Sequence, residues 1–151
     1  MIRMTLIGGQ ETIARFNSVS EQVYASLRAV IMEEWLDLQA YIVTSKLSGQ
    51  VLKRRTGLLS SSINVGGPQT TSEFRSDNSY IVGKVGTNVV YAAIHEYGGQ
   101  VHKVSSKGKS FTQNFPERSF LRSGLQDRQA QIRNNIDEAY RRSMRRLTVN
   151  G

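Results

Sequence analysis

The sequence predicts an α+β fold, in which a small antiparallel sheet with a β-hairpin packs against two long amphipathic helices. Apolar residues recur at helical spacing in two long stretches, and the shorter runs between them alternate apolar and polar residues, as half-buried strands do. The 151 residues have the length of one domain, and a hydrophobic content of 38% supports a modest core. We therefore expect a single domain over residues 1–151, with a long loop or extended arm at about 100–116.

The beginning of the chain predicts a strand and a short helix. Ile2–Leu6 alternates apolar residues with polar or small ones, and the two glycines that follow indicate a turn. Gln10–Ser18 carries two apolar residues three positions apart, which favours a separate short helix before the first long one.

The first long helix is predicted from about Ser20 to Leu47. Ser20 is a suitable N-terminal cap, and Gly49 is a suitable stop. The apolar positions recur every three or four residues, so that they form one buried face. They are Val23, Leu27, Val30, Ile31, Trp35, Leu38, Ile42 and Leu47.

The middle of the chain predicts a linker, a helical turn and a hairpin. Lys53–Gly57 combines charge with glycine and reads as a basic linker, followed by one helical turn at Leu58-Leu59. Ile63–Val65 predicts a strand. Ser76–Ser79 has the chemistry of a turn, and the alternating residues of Tyr80–Val85 predict the second strand of a hairpin.

The last third predicts a chain reversal, an arm and a helix. Tyr91–Gly99 has small alanines for close approach, amphipathic aromatics and a double glycine that permits unusual backbone angles. Gln100–Phe115 is rich in Lys, Ser and Gly, which predicts a long loop or an extended hairpin arm. Pro116–Leu121 predicts the start of a helix of about 28 residues, or ~42 Å, with an arginine-rich outer face.

Catalytic and metal-binding patterns are incomplete in this chain. His95-Glu96 begins like a zinc-protease motif, but that motif needs a second histidine four residues after the first, where Gly99 stands. Gly108-Lys109-Ser110 ends like a phosphate-binding loop, yet Lys103 occupies the position of its earlier glycine. The sequence has no cysteine and no Gly-x-Ser-x-Gly motif. We therefore expect no enzyme activity, no metal and no cofactor.

The charge predicts acidic or polyanionic partners. The formal net charge is +8, and most of the cations lie at or after Lys53. No apolar stretch approaches the ~20 residues that a membrane-spanning helix needs, so we expect a soluble protein without a membrane partner. Part of the arginine cluster near the C-terminus complements the negative end of the helix dipole, and the rest is available to nucleic acid or to an acidic protein.

Three segments in order carry a resemblance to a known family. They are Arg55–Ile63, Val85–Gly98 and Pro116–Leu121. Together they resemble the tail-completion proteins of long-tailed bacteriophages, which are also described as minor tail, head-tail joining or virion morphogenesis proteins. This chain departs from the usual pattern in its long, lysine-rich arm and in Ser119 and Ser123-Gly124, where relatives often have proline or Pro-Ala.

The resemblance implies a structural protein of the phage neck and tail, assembled in the host cytoplasm. It implies a homo-oligomeric ring, in particular a hexamer, that completes the tail and helps to join head and tail. The expected partners are other copies, other neck and tail proteins and, without sequence preference, the DNA in the channel. The alternative is a sequence-independent DNA-binding protein, because of the basic excess late in the chain.

The resemblance also places the candidate contact residues. Tyr91–Gly99 is expected at a structural junction near a subunit interface. Arg118, Phe120 and Leu121 are expected to fix the entry into the last helix, and the arm is expected to reach a neighbour. The candidate interface or structural residues are Arg54, Arg55, Gly57, Tyr91, His95, Glu96, Tyr97, Gly98, Arg118, Phe120 and Leu121. The candidate arm or DNA-facing residues are Lys103, Lys107 and Lys109.

Overall fold

A computed structural model of the chain describes residues 2–7, 21–50, 57–77 and 79–149, with the backbone alone at 2–7, at Gln50 and at 147–149. The predicted short helix at Gln10–Ser18 and the cap at Ser20 lie outside the described residues, as do Arg54 and Arg55. Helices and two small antiparallel sheets make up the described elements, which confirms the predicted α+β class.

The first sheet has three strands, β1 (Ile2–Ile7), β2 (Glu73–Ser76) and β3 (Ile81–Thr87). Their order is β1-β3-β2, and all neighbours are antiparallel. Strands β2 and β3 form the predicted hairpin. In its turn, Asp77 Oδ1 accepts hydrogen bonds from the backbone N–H groups of Ser79 at 2.7 Å and Tyr80 at 3.1 Å.

Helix α1 (Glu21–Tyr41) packs its apolar stripe on this sheet and on the last helix. Trp35 is the central contact with the sheet. Its indole Nε1–H donates to the Lys84 carbonyl at 2.8 Å, and its ring fills the space over Gly83, where a Cβ atom would meet Trp35 Cδ1 at 2.8 Å. The glycine therefore lets the helix approach the strand closely.

The helix continues beyond α1 as π-helical turns over Ile42–Gln50. Gly49 adopts a φ of 124°, a conformation that residues with a side chain rarely take, and the helical path is broken there. The predicted helix from about Ser20 to Leu47, with Gly49 as its stop, agrees with these bounds.

The predicted strand at Ile63–Val65 is wrong, because Ile63 is the last residue of helix α2 (Leu58–Ile63). Gly57 begins this short helix in a left-handed conformation, with a φ of 75°. The hydroxyl of Ser60 donates to the Gly57 carbonyl at 2.8 Å, and such local bonds let serine support a helical turn as readily as a strand. Of the two apolar residues that suggested a strand, Ile63 is completely buried and Val65 is exposed.

A second hairpin occupies the predicted arm. Helix α3 (Ala92–Tyr97) is followed at once by strand β4 (Gly99–Val104) and strand β5 (Ser110–Phe115). Within the described part of the chain, these two strands pair only with each other and form the second sheet. Of the two alternatives for Gln100–Phe115, the extended hairpin is therefore the one observed.

Helix α4 (Leu121–Val149) has 29 residues and begins where the sequence predicted a helix start. The core lies between α4, α1 and the first sheet. One cluster of buried residues gathers where the C-terminal half of α1 meets the start of α4, and it consists of Trp35, Leu38, Ile42, Leu47, Ile63, Val85, Val89, Ala92, Phe120 and Leu121. The second cluster lies nearer the N-terminal end of α1 and consists of Val23, Leu27, Ile31, Ile81 and Ala139.

Candidate functional site

The three segments that carried the resemblance meet in space. We call the junction the assembly of Gly57–Ile63, Thr87–Gly98 and Phe115–Arg122. The first two segments are joined by a buried pair of hydroxyls, since Ser62 Oγ and Thr87 Oγ1 share a hydrogen bond at 2.7 Å. Thr87 Oγ1 also accepts from the backbone N–H of Val89 at 3.0 Å. Because buried hydroxyls need partners, this pair holds α2 against the end of β3.

The second and third segments are joined by the carboxylate of Glu96, which is 1% exposed. Its Oε2 accepts from the backbone N–H groups of Phe120 at 2.8 Å and Leu121 at 2.9 Å, and its Oε1 accepts from the N–H of Arg122 at 2.9 Å. These N–H groups stand at the start of α4, where a helix offers its own backbone no acceptors. The positive end of the helix dipole adds to the attraction. Glu96 therefore caps α4 from α3.

The backbone of α3 also contacts the segment that leads into α4. The Arg118 N–H donates to the His95 carbonyl at 2.8 Å. Gly98 has a φ of 69°, and a Cβ atom placed there would meet the Glu117 nitrogen at 2.8 Å and the Phe115 carbonyl oxygen at 3.1 Å. A side chain at position 98 would therefore be strained and would push the two segments apart.

The imidazole of His95 packs between two aromatic rings. The ring centroids of Tyr91 and Phe115 lie 5.9 Å and 6.1 Å from it, both in edge-to-face geometry. Burial lowers the pKa of His95 from its ordinary value of 6.5, and the positive charge of Arg118 lowers it further. Protonation of His95 is thus disfavoured, and its ring packs against Phe115 at the base of the second hairpin.

The outer side of the junction exposes apolar and aromatic residues. Val90 is 92% exposed and Tyr97 is 60% exposed. The guanidinium of Arg122 lies 5.7 Å from the centroid of the Tyr97 ring and forms an ion pair with Glu117. By contrast, Phe120 and Leu121 are fully buried.

The hairpin β4–β5, which we call the arm, projects from the junction with nearly all its side chains exposed. Cross-strand contacts stiffen it: His102 Nδ1 lies 2.8 Å from Thr112 Oγ1, and Lys103 Nζ donates to Gln113 Oε1 at 2.6 Å. Lys107 and Lys109 lie in the loop at its tip, away from the candidate residues of the junction.

The structure therefore separates the sequence-predicted residues into two groups. The junction brings together Gly57, Tyr91, His95, Glu96, Tyr97, Gly98, Arg118, Phe120 and Leu121. The arm carries Lys103, Lys107 and Lys109.

One cluster was not found from the sequence. Asp127 Oδ2 accepts from Lys46 Nζ at 2.6 Å and from the Tyr41 hydroxyl at 2.8 Å, so that α4 is tied to the end of α1. The hydrogen bonds from Lys46 and Tyr41 lower the pKa of Asp127 below its ordinary range. More than eighty residues separate Asp127 from either partner, and no local pattern in the sequence marks such a pair.

Two further properties hold for the described part of the chain. It contains no group of three or more histidine, aspartate or glutamate side chains placed to hold a metal ion. None of its helices combines the length and the apolar character that crossing a membrane requires.

The fold and the junction define a small α+β protein whose buried polar groups hold structural elements together. The chain belongs to the phage virion morphogenesis family, whose model matches residues 43–141, more than half of the sequence. No curated protein and no solved structure matches the chain. The resemblance to phage tail and morphogenesis proteins is confirmed, and the family indicates a structural, virion-associated role in phage assembly.

Replacing Glu96 tests its role as the cap of α4. We expect Glu96→Ala to lower the free energy of unfolding by about 3 kcal/mol, because three N–H groups lose a charged acceptor. Glu96→Gln should cost less, since one oxygen still accepts. Urea unfolding measures both, with the exposed Glu117→Gln as the control. Unchanged stability of Glu96→Ala would contradict this role.

The pH dependence of stability tests the environment of His95. The folded protein resists protonation of this ring, whereas the unfolded chain takes up the proton near its ordinary pKa. Stability should therefore fall as the pH is lowered from about 7 to about 5. In His95→Gln this part of the pH dependence should disappear, while the control His102→Gln, on the exposed arm, should keep it. Urea unfolding at a series of pH values measures the free energy of unfolding as a function of pH. If wild type and His95→Gln showed the same pH dependence, this account of the His95 environment would be refuted.

Proposed function

We propose that this protein completes the phage tail and helps to join head and tail, as a ring of identical copies around the DNA channel. The observation that carries the proposal is the arm, a hairpin exposed on both faces and anchored on the buried junction. Membership of the virion morphogenesis family supports an assembly role of this kind.

The exposure of the arm favours contact with a neighbour. An isolated two-stranded hairpin is marginally stable in water, so a hairpin of this kind gains stability when a partner covers it. Val104 is 73% exposed and Phe111 is 48% exposed, and both lie near the tip. A neighbouring copy or another neck or tail protein would remove these side chains from water.

The attachment of the arm to the junction also favours a ring. The junction fixes the direction in which the arm leaves α3, because Gly98 and His95 both hold its base. When the arm of one copy contacts a different surface of the next copy, every neighbouring pair is related by the same rotation. A whole number of such rotations that adds up to a full turn closes the copies into a ring. We propose a hexamer as the closed form, assembled in the host cytoplasm on other neck and tail proteins.

The experiment is complementation of a phage that cannot make this protein. We expect lysates of cells infected with this defective phage to contain heads and tails that are not joined. Wild-type protein supplied from a plasmid should restore complete particles. A variant in which a two-residue turn replaces residues 101–113 should fold but should not restore them. A control with Gln126→Ala and Gln129→Ala, on the exposed side of α4, should restore them fully. Joined particles without the protein, counted by electron microscopy, would overturn the proposal.

The exposed cations of α4 favour a second candidate function, sequence-independent binding to DNA. Arg133, Arg141 and Arg146 are all exposed on this helix. Part of the cluster lies at the helix end, where cations are favoured without any ligand. In the proposed ring the same residues would face the DNA that passes through the channel.

Salt-dependent binding separates the two functions. If α4 contacts phosphates, retention on double-stranded DNA should fall steeply with salt, and each arginine removed should reduce the slope of log K against log salt by about 0.9. Arg141→Gln with Arg146→Gln is the test variant, and Arg122→Gln, whose partner is Glu117, is the control. Fluorescence anisotropy at low and high salt provides the measurement. No binding at low salt would exclude this second function.

A further inference from the structure

Helix α1 exposes an apolar stripe on the side that faces away from the core. Leu36 is 48% exposed and Met32 is 37% exposed. Exposed alanines extend the stripe at helical spacing in both directions, at Ala29 and Ala40. A helix with apolar residues on its outer side as well as its inner side is typical of one that is covered by a partner. We call this surface the outer face of α1.

Two carboxylates flank the stripe. Glu33 and Asp37 lie four residues apart on the same side of α1, and both are exposed. Neither forms an ion pair with any residue that the structure describes, although like charges at this spacing repel each other. The outer face of α1 therefore combines an apolar stripe with unneutralised negative charge.

The arm has the opposite character. Its strand pairing places Phe111 directly across from Lys103, so that the two side chains lie on one face of the hairpin. Lys107 and Lys109 follow in the tip loop, and residues 99–115 contain no acidic residue. The arm thus combines an exposed aromatic ring with unneutralised positive charge.

We propose that the arm of one copy docks on the outer face of α1 of the next copy. Phe111 packs against Met32 and Leu36, while the lysines of the arm face Glu33 and Asp37. The complementary charges orient the contact, and the apolar side chains leave water. A chain's own arm does not cover its own α1, since both surfaces are exposed in the single chain.

This contact gives the proposed ring its interface, and in that respect it rests on the proposed function. The arm and the outer face are different surfaces of one chain, so that every copy offers one of each. The interface is head-to-tail, and neighbouring copies repeat it around the ring.

Charge reversal on each side tests the contact. The arm variant is Lys107→Glu with Lys109→Glu, and the face variant is Glu33→Lys with Asp37→Lys. Each variant alone places like charges against each other, so its self-association should be weaker than that of the wild type by about a hundredfold. Mixed in equal amounts, the two variants should associate again, because each arm then meets an oppositely charged face. Sedimentation velocity measures all three samples.

Two controls introduce charges of the same sign elsewhere, on the exposed side of α4. Gln126→Glu with Gln129→Glu matches the arm variant, Gln126→Lys with Gln129→Lys matches the face variant, and both should associate like the wild type. The recovery in the mixture also shows that the two test variants are folded.

The remaining outcomes overturn the proposal in distinguishable ways. Undiminished association of the arm or face variant would refute the docking contact and leave the proposed ring intact. A wild-type protein that is monomeric at every concentration would refute the ring, and the docking contact with it. If the arm variant lost DNA binding but associated normally, the lysines of the arm would be assigned to DNA and not to a second copy.

Discussion

The hydrogen bonds between the Glu96 carboxylate and the first N–H groups of α4 are the constraint on which the junction depends. A charged group with 1% exposure is stable only when its oxygens are satisfied, and here the start of a 29-residue helix satisfies both. The helix in turn needs an acceptor where Phe120 and Leu121 enter the core and water cannot reach. The carboxylate therefore supplies the acceptors that the helix start lacks, and the helix start supplies the donors that the buried carboxylate needs.

The position of the arm follows from this constraint. Because Glu96 holds α3 against α4, the chain must reverse within Gly98 and Gly99, whose φ values of 69° and 137° are tolerated by glycine. His95, on the same short helix, packs against Phe115 and so holds the returning strand as well. The hairpin, whose two strands pair with each other, is thus attached to α3 through the contact between His95 and Phe115.

The surfaces left exposed complement one another in charge. The arm carries lysine and an exposed aromatic ring, the outer face of α1 carries Glu33 and Asp37 beside Leu36, and the far part of α4 carries arginine. A contiguous apolar patch on the surface is a candidate interaction site, and the outer face of α1 carries Met32 and Leu36 side by side. The proposed ring accounts for the arm and the outer face together, and it leaves the arginines of α4 available to DNA.

The two long helices and the second strand of the first hairpin were predictable because they depend on local periodicity, whereas the short helix at Ala92–Tyr97 was not predicted. The apolar stripe around Trp35 and the alternation in Tyr80–Val85 report which face of each element is buried, whatever it packs against. The strand expected at Ile63–Val65 was wrong, because so short an alternation of apolar and polar residues beside serines is compatible with either a helical turn or a strand. The sequence also indicated that Glu96 belongs to an important segment, without indicating its role.

The sequence by itself determined the α+β class, the two long helices, the hairpin between β2 and β3, and the resemblance that the family match confirms. Only the tertiary structure decided that Glu96 caps a helix 24 residues further on, that Ser62 pairs with Thr87, and that Asp127 joins Lys46 and Tyr41. It also showed that the apolar side chains of Met32 and Leu36 remain exposed. Periodicity is a property of neighbouring residues, whereas a buried polar contact depends on where distant segments meet, and that is set by the packing of the whole core.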